Sequence, residues 1–242
     1  MFHSLVLLQF VALPWLVIGD HRIIGGNTES IKVAPWYGSL IAKSKLKCGG
    51  VLVKNNYFLT AAKCVDGFDV SDLQIRLGTS SCESGGSKVG VCKVKVHPQY
   101  SSWRFDNNLA LLRTCEPLVA TDEIKPKPQP PVGAPSCGGA SLREPCETVS
   151  AYVLRKLDVN LHDPNSCSKD RKRWFNISSG DTVQNICVTR KTESCSFDKG
   201  APMVIDGKLA GILALGDCSK EPEVFINLFH HKAWLESNSK DK

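Results

Sequence analysis

Beyond its first 19 residues the chain has no stretch near the roughly 20 consecutive apolar residues that a membrane-spanning helix requires. It also lacks any Cys-x-x-Cys pair, so zinc binding of the usual spacing is not expected, and neither a metal nor a cofactor is implied. Internal repeats and low-complexity tracts are missing as well, which argues against a stacked-repeat architecture. The charge imbalance is small: 30 Lys and Arg against 24 Asp and Glu give +6 over 242 residues. Nucleic acid is not an expected partner of such a chain if it is secreted.

Several features point to secretion and to a single all-β domain. Residues 1–19 hold the apolar run Leu5 to Leu13, then Val17-Ile18-Gly19, and read as a signal peptide with a small-residue cleavage site. Eleven cysteines in a chain of this kind read as a disulfide framework, and their odd number leaves at least one outside the internal pairs. Short aliphatic or β-branched segments recur between Gly, Asn, Asp and Pro: Val51–Val53, Leu73–Leu77, Val91–Val96, Thr148–Leu154, Met203–Ile205 and Leu209–Leu213. That spacing predicts a sandwich or barrel of many short strands. Apolar residues at helical spacing predict a closing helix over Phe225–Trp234. The proline-rich tract Ile124–Pro131 reads as a linker, because proline lacks a ladder donor and favours extended chain.

Two basic clusters stand out, Lys43 to Lys47 and Lys169 to Trp174. In the second, Arg171, Lys172 and Arg173 are candidates for binding an anionic glycan, weighed against the blander reading of a solvated loop. Asn176-Ile177-Ser178 is an N-glycosylation acceptor triplet.

An ordered series of motifs carries a more specific reading. Arg22 precedes Ile23-Ile24-Gly25-Gly26; Cys48-Gly49-Gly50 is followed by Leu59-Thr60-Ala61-Ala62-Lys63-Cys64. Then come His97-Pro98-Gln99-Tyr100, Asp106 to Leu112, Cys167, Cys187, Cys195 to Pro202, Gly211 to Gly216 and Cys218. In content and order the series resembles the trypsin/chymotrypsin serine protease family, over nearly the whole chain after residue 22. The resemblance implies two six-stranded antiparallel β-barrels with a C-terminal helix, spanning 23–242 after a very short activation peptide at 20–22. It implies the bridges Cys48–Cys64, Cys167–Cys187 and Cys195–Cys218. Of the five remaining cysteines, Cys82 and Cys92 flank a Gly-rich loop and are expected to close a small hairpin, leaving Cys115, Cys137 and Cys146 to compete.

The resemblance breaks down at the residues that perform the family's chemistry. Lys63 stands where the general-base histidine belongs, Asn108 where the orienting aspartate belongs, and Lys199 where the nucleophilic serine belongs. The reaction requires a hydroxyl activated by an imidazole whose tautomer a carboxylate fixes, and none of the three groups is present. Phe197 replaces a glycine whose N–H helps form the oxyanion hole. Glu193 matches the floor of the primary specificity pocket, Gly216 is a further pocket position, and Glu223 falls where the family has a pocket-wall glycine, so a long side chain is expected to plug the cavity. Two neighbouring carboxylates disfavour each other's ionisation unless a cation separates them, which suggests an internal pair with Lys63 or Lys199.

Arg22, Ile23 and Asp198 match the family's activation switch, in which cleavage frees an amine that pairs with the aspartate. The implied function is that of an inactive homologue, of a kind found in extracellular fluids, particularly of insects. Such a protein would bind a protease, an inhibitor or a receptor as cofactor, decoy or regulator. The alternatives are a hydrolase with unorthodox or residual activity, and a glycan or pathogen-surface binder acting through its basic loops.

Overall fold

A computed structural model describes residues 23–102, 107–127, 146–150, 153–163, 166–167, 171, 184–190, 195–196 and 198–240, and among these the regular structure is mainly fifteen strands, with three short 3-10 turns and a short C-terminal helix. In chain order the strands are β1 (Ile23–Ile24), β2 (Asn27–Thr28), β3 (Tyr37–Ala42), β4 (Lys45–Lys54), β5 (Tyr57–Thr60), β6 (Leu73–Leu77), β7 (Ser87–Val96) and β8 (Ala110–Thr114). They continue as β9 (Cys146–Ser150), β10 (Arg155–Leu161), β11 (Asn185–Arg190), β12 (Cys195–Ser196), β13 (Pro202–Ile205), β14 (Lys208–Leu215) and β15 (Glu223–Asn227), and the chain closes on helix α1 (Lys232–Asn238).

The first six long strands close on themselves in the order β3-β4-β5-β8-β7-β6, all antiparallel. Closure removes sheet edges, and the interior fills with side chains such as Leu40, Leu52, Phe58, Leu59, Ile75 and Leu112, none of which reaches solvent. The tight β3–β4 hairpin puts Lys43 and Ser44 at φ 48° and 63°, the left-handed pair that matches strand twist in a two-residue turn. The basic cluster of the sequence therefore sits on a hairpin tip, where Lys47 lies 5.0 Å from the centroid of the Phe68 ring.

The second sheet runs β11-β15-β14-β13-β9-β10-β2, and an added pairing of β10 with β11 joins six of its strands into a ring. The fold is trypsin-like, mostly β, built from two six-strand sheets and a single C-terminal helix. Residues 124–127 of the proline-rich tract lie against the first barrel, with Lys125 N–H donating to the Pro35 carbonyl at 2.9 Å and Lys127 N–H to that of Leu52 at 2.8 Å.

Two local expectations need correction. Phe225 lies in β15, not in a helix: Val224, Phe225 and Ile226 are wholly buried between the ladders to β11 and β14, where an all-apolar strand mimics a helical stripe. The helix starts only at Lys232. The expected Cys82–Cys92 hairpin bridge does not form either. Cys92 on β7 pairs with Cys115, which follows the partner strand β8, because the β7–β8 register brings their Cα atoms to 4.8 Å. Cys82 is instead buried, 5% exposed.

Candidate functional site

Strand β4 anchors the segments that carry Lys63 and Lys199. Cys48 on β4 is bridged to Cys64, which ends the short 3-10 turn Ala62–Cys64 holding Lys63. The next residue, Gly49, donates its N–H to the Lys199 carbonyl at 3.0 Å. Two of the three positions are thus tied to adjacent residues of one strand. A side chain at Gly49 would bring its Cβ to 2.8 Å from Asp198 Oδ2, and one at Gly200, where φ is +83°, would overlap the Gly49 carbonyl. This close crossing of two backbones requires glycine on both sides.

Asn108 is fully buried just before β8. Its side-chain oxygen accepts the Lys63 backbone N–H at 2.8 Å, and its Nδ2 has no hydrogen-bond partner among the described residues. The carboxamide keeps the main chain of the 62–64 turn in place but receives no proton from an imidazole. The Lys63 side chain leaves this centre: its Nζ donates to Asp66 Oδ2 at 3.1 Å, with both side chains about two-fifths exposed, at 42% and 43%. The suggested pairing of Lys63 with a pocket carboxylate is therefore replaced by a local i,i+3 ion pair on the surface. Lys199 is half-buried.

Asp198, at zero exposure, accepts a hydrogen bond from Tyr37 Oη at 3.0 Å. Burial, and then the adjacent Asp198 charge, push the Tyr37 phenol well above its ordinary value, so it remains a donor. Ile23 on β1 pairs with Ser196 on β12, which sets the backbone of the would-be new terminus beside the Asp198 segment. Arg22 lies outside the described residues.

On the pocket side, Gly216 is buried directly after β14 and Glu223 opens β15 at 2% exposure, opposite Val188. Glu193 lies outside the described residues. The bridges Cys167–Cys187 and Cys195–Cys218 bracket this region, and Cys167, Cys187, Leu215 and Val224 pack as one small apolar cluster.

Arg171 overturns the anion-binding expectation for that residue. Its side chain has no exposure and faces inward, 2.9 Å from Asp217 Oδ2 and 3.1 Å from Glu221 Oε2, with its Nε donating to the Pro222 carbonyl. Two carboxylates already neutralise the guanidinium, leaving nothing to offer a ligand. Burial alone would raise the Asp217 carboxyl, but hydrogen bonds from Arg171 and Ser219 outweigh it and hold the group at about 2. Arg171 thereby ties down the 217–222 segment leading to Glu223. Lys172, Arg173 and Asn176 lie outside the described residues.

Asp66, Tyr37, Asp217 and Glu221 were not singled out by sequence reasoning. Only Asp66 left a local signal, as a carboxylate three positions after Lys63, within reach on one helical turn. The other contacts join residues far apart in the chain.

Two β-barrels, a shared site between their anchoring segments and a short closing helix define a protein of the chymotrypsin architecture. The family profile described as Trypsin matches residues 23–235, and the chain belongs to that family. It is 28% identical to Hypodermin-A of Hypoderma lineatum, covering 95% of this chain and 92% of the relative. It is 30% identical to Trypsin delta of Drosophila erecta, covering 91% and 89%. Among solved structures, the scabies mite inactivated protease paralogue S-D1 superposes with a TM-score of 0.73 at 23% identity, covering 88% of this chain and 96% of that one. Mouse neuropsin superposes with a TM-score of 0.73 at 22% identity, covering 89% and 99%.

Proposed function

We propose that this chain is a secreted, catalytically inactive serine protease homologue that acts by binding another extracellular protein, a protease, an inhibitor or a receptor. The observation that carries this reading is the fate of Lys63. At the position of the general base, an ammonium turns away to Asp66, while Asn108 offers a carboxamide to the backbone. Neither group is placed to take a proton from a nucleophile. A deprotonated Lys199 amine would attack a peptide carbonyl only to form another amide, which has no easy hydrolytic exit. Loss of a complete triad lowers turnover by about a millionfold. The same fold occurs in a protein described as inactivated, the scabies mite protease paralogue S-D1.

The four disulfides among the described residues and the leader-like residues 1–19 favour an oxidising, extracellular setting. Cleavage after Arg22 would serve as a shape switch for the binding surface, through an amine at Ile23 competing with Tyr37 for Asp198. Limited proteolysis of cut and uncut protein tests the switch: different digestion patterns support it and identical ones refute it.

Activity is tested with a fluorophosphonate probe and a casein substrate on both forms. The expected result is no labelling and no digestion above a blank. The triple variant Lys63→His, Asn108→Asp, Lys199→Ser serves as comparison. Casein digestion by the unaltered chain that ceases in Lys199→Ala would overturn the reading.

A further inference from the structure

The outer face of the first barrel carries a basic groove far in sequence from both basic clusters. Tyr57 on β5 pairs with Arg113 on β8, and Arg113 with Lys93 on β7, so the three form one cross-strand row. With Lys95, Leu111 and Lys240 they line a cavity of about 390 Å³ between the sheet and the end of α1. No carboxylate is among the lining residues, and among the described residues none pairs with Lys93, Arg113 or Lys240.

This arrangement works against stability of the unliganded protein. Like charges directly opposite in an antiparallel ladder repel, and Lys93 faces Arg113 in that way. Lys95 donates to the Asn238 carbonyl at 3.1 Å, and the neighbouring Lys54 donates to that of Ser239. Carbonyls orient these ammonium groups without neutralising them. The Cys92–Cys115 bridge adjoins the row, Cys92 immediately before Lys93, and locks β7 to β8. A rigid ladder fixes the backbone spacing of its cations, so that on binding only side-chain freedom is lost.

We infer that this groove is a docking site for a sulfated polysaccharide. Cross-strand neighbours lie about 5 Å apart and same-face neighbours along a strand about 7 Å apart, so the cations form an extended row suited to repeated anions on a linear chain. Single-stranded nucleic acid fits less well, because it needs aromatic faces for base stacking. Here the Tyr57 ring is 4% exposed and its hydroxyl is committed to the Lys240 carbonyl at 3.1 Å. A bilayer surface fits less well too, because the site is a recess and its apolar member, Leu111, is 1% exposed and has nothing to insert.

The test uses the intact protein and heparin as probe, with calorimetric titration over a salt series. Lys93→Gln combined with Arg113→Gln is expected to weaken binding about tenfold or more, at about 1 kcal/mol for each cation near an anionic surface. It is also expected to flatten the plot of log affinity against log salt by about 1 to 2. Lys43→Gln combined with Lys47→Gln, equal in charge change, is expected to alter binding less than threefold, which lies within about 0.7 kcal/mol. As a check independent of variant folding, heparin should shield Lys93, Lys95 and Lys240 of the unaltered protein from acylation more than Lys43 and Lys47. Equal losses from the two variant pairs, unchanged binding, absent protection, or tighter binding to DNA or to phosphatidylserine vesicles than to heparin would each overturn the inference.

Discussion

Arg171 shows how little a residue's type reveals about its role. In the sequence it belongs to a run of cations; in the fold it has no exposure and joins Asp217, Glu221 and the Pro222 carbonyl. Arg171→Ala should leave two carboxylates facing a void and lower stability by about 2 to 4 kcal/mol. The effect falls short of a fully buried pair, since Asp217 and Glu221 keep 33% and 31% exposure. Urea denaturation at neutral pH measures it. The Asp217 carboxyl is depressed, so its contribution is full above the ordinary carboxylate range and fades as pH falls toward about 2. Tyr37 is a second residue with a hidden function. Tyr37→Phe removes a hydrogen bond to the buried Asp198 and should cost about 1.5 to 3 kcal/mol, read by the same denaturation. Neither pairing was legible in the sequence, because contacts between residues 171 and 217, or 37 and 198, leave no local period.

At the level of elements, strands were easier to read than the helix. Leu73–Leu77 and Met203–Ile205 lie within β6 and β13, because short aliphatic runs bounded by turn residues have few other ways to be buried. The helix was placed too early because Phe225, Ile226 and Leu228 are all buried, and burial on both faces of a strand erases the period that separates strand from helix. The Cys92–Cys115 bridge was missed for a related reason: a Gly-rich loop suggests a local hairpin, whereas the actual partner is set by the register of β7 against β8. This bridge closes a separation of 23 residues. Replacing both cysteines by alanine should lower stability by about 3 kcal/mol on the chain-entropy account, checked by calorimetry against the unaltered chain. The same variant should also loosen the β7–β8 face that presents Lys93 and Arg113.

At the scale of the whole molecule, the ordered motifs made the architecture legible, because they follow one another along the chain. The surroundings of Lys63, Asn108 and Lys199, assembled from distant segments, were not legible. One such assembly joins the first barrel to the C-terminal segment: the His97 ring lies 5.0 Å from those of both His231 and Trp234, and His230 lies 5.0 Å from His231. Burial, then the neighbouring His97 and His230, lower His231 to about 4. The unfolded chain therefore binds more protons between about pH 6.5 and 4, and stability should decline across that window by up to about 3 kcal/mol. Melting curves at pH 7 and pH 4.5 check this, and His231→Phe should flatten the difference.

The same end of the chain sets the timing of the first barrel's completion. Lys54, Tyr57 and Lys95 donate to main-chain carbonyls of residues 238–240, across separations of 185, 183 and 143 residues. At ordinary rates of translation the ribosome needs roughly 10 to 40 s to supply those acceptors after Lys54 has been made. The first barrel therefore waits through the making of the second with one flank wet, and its final seam is sewn only once residues 238–240 arrive.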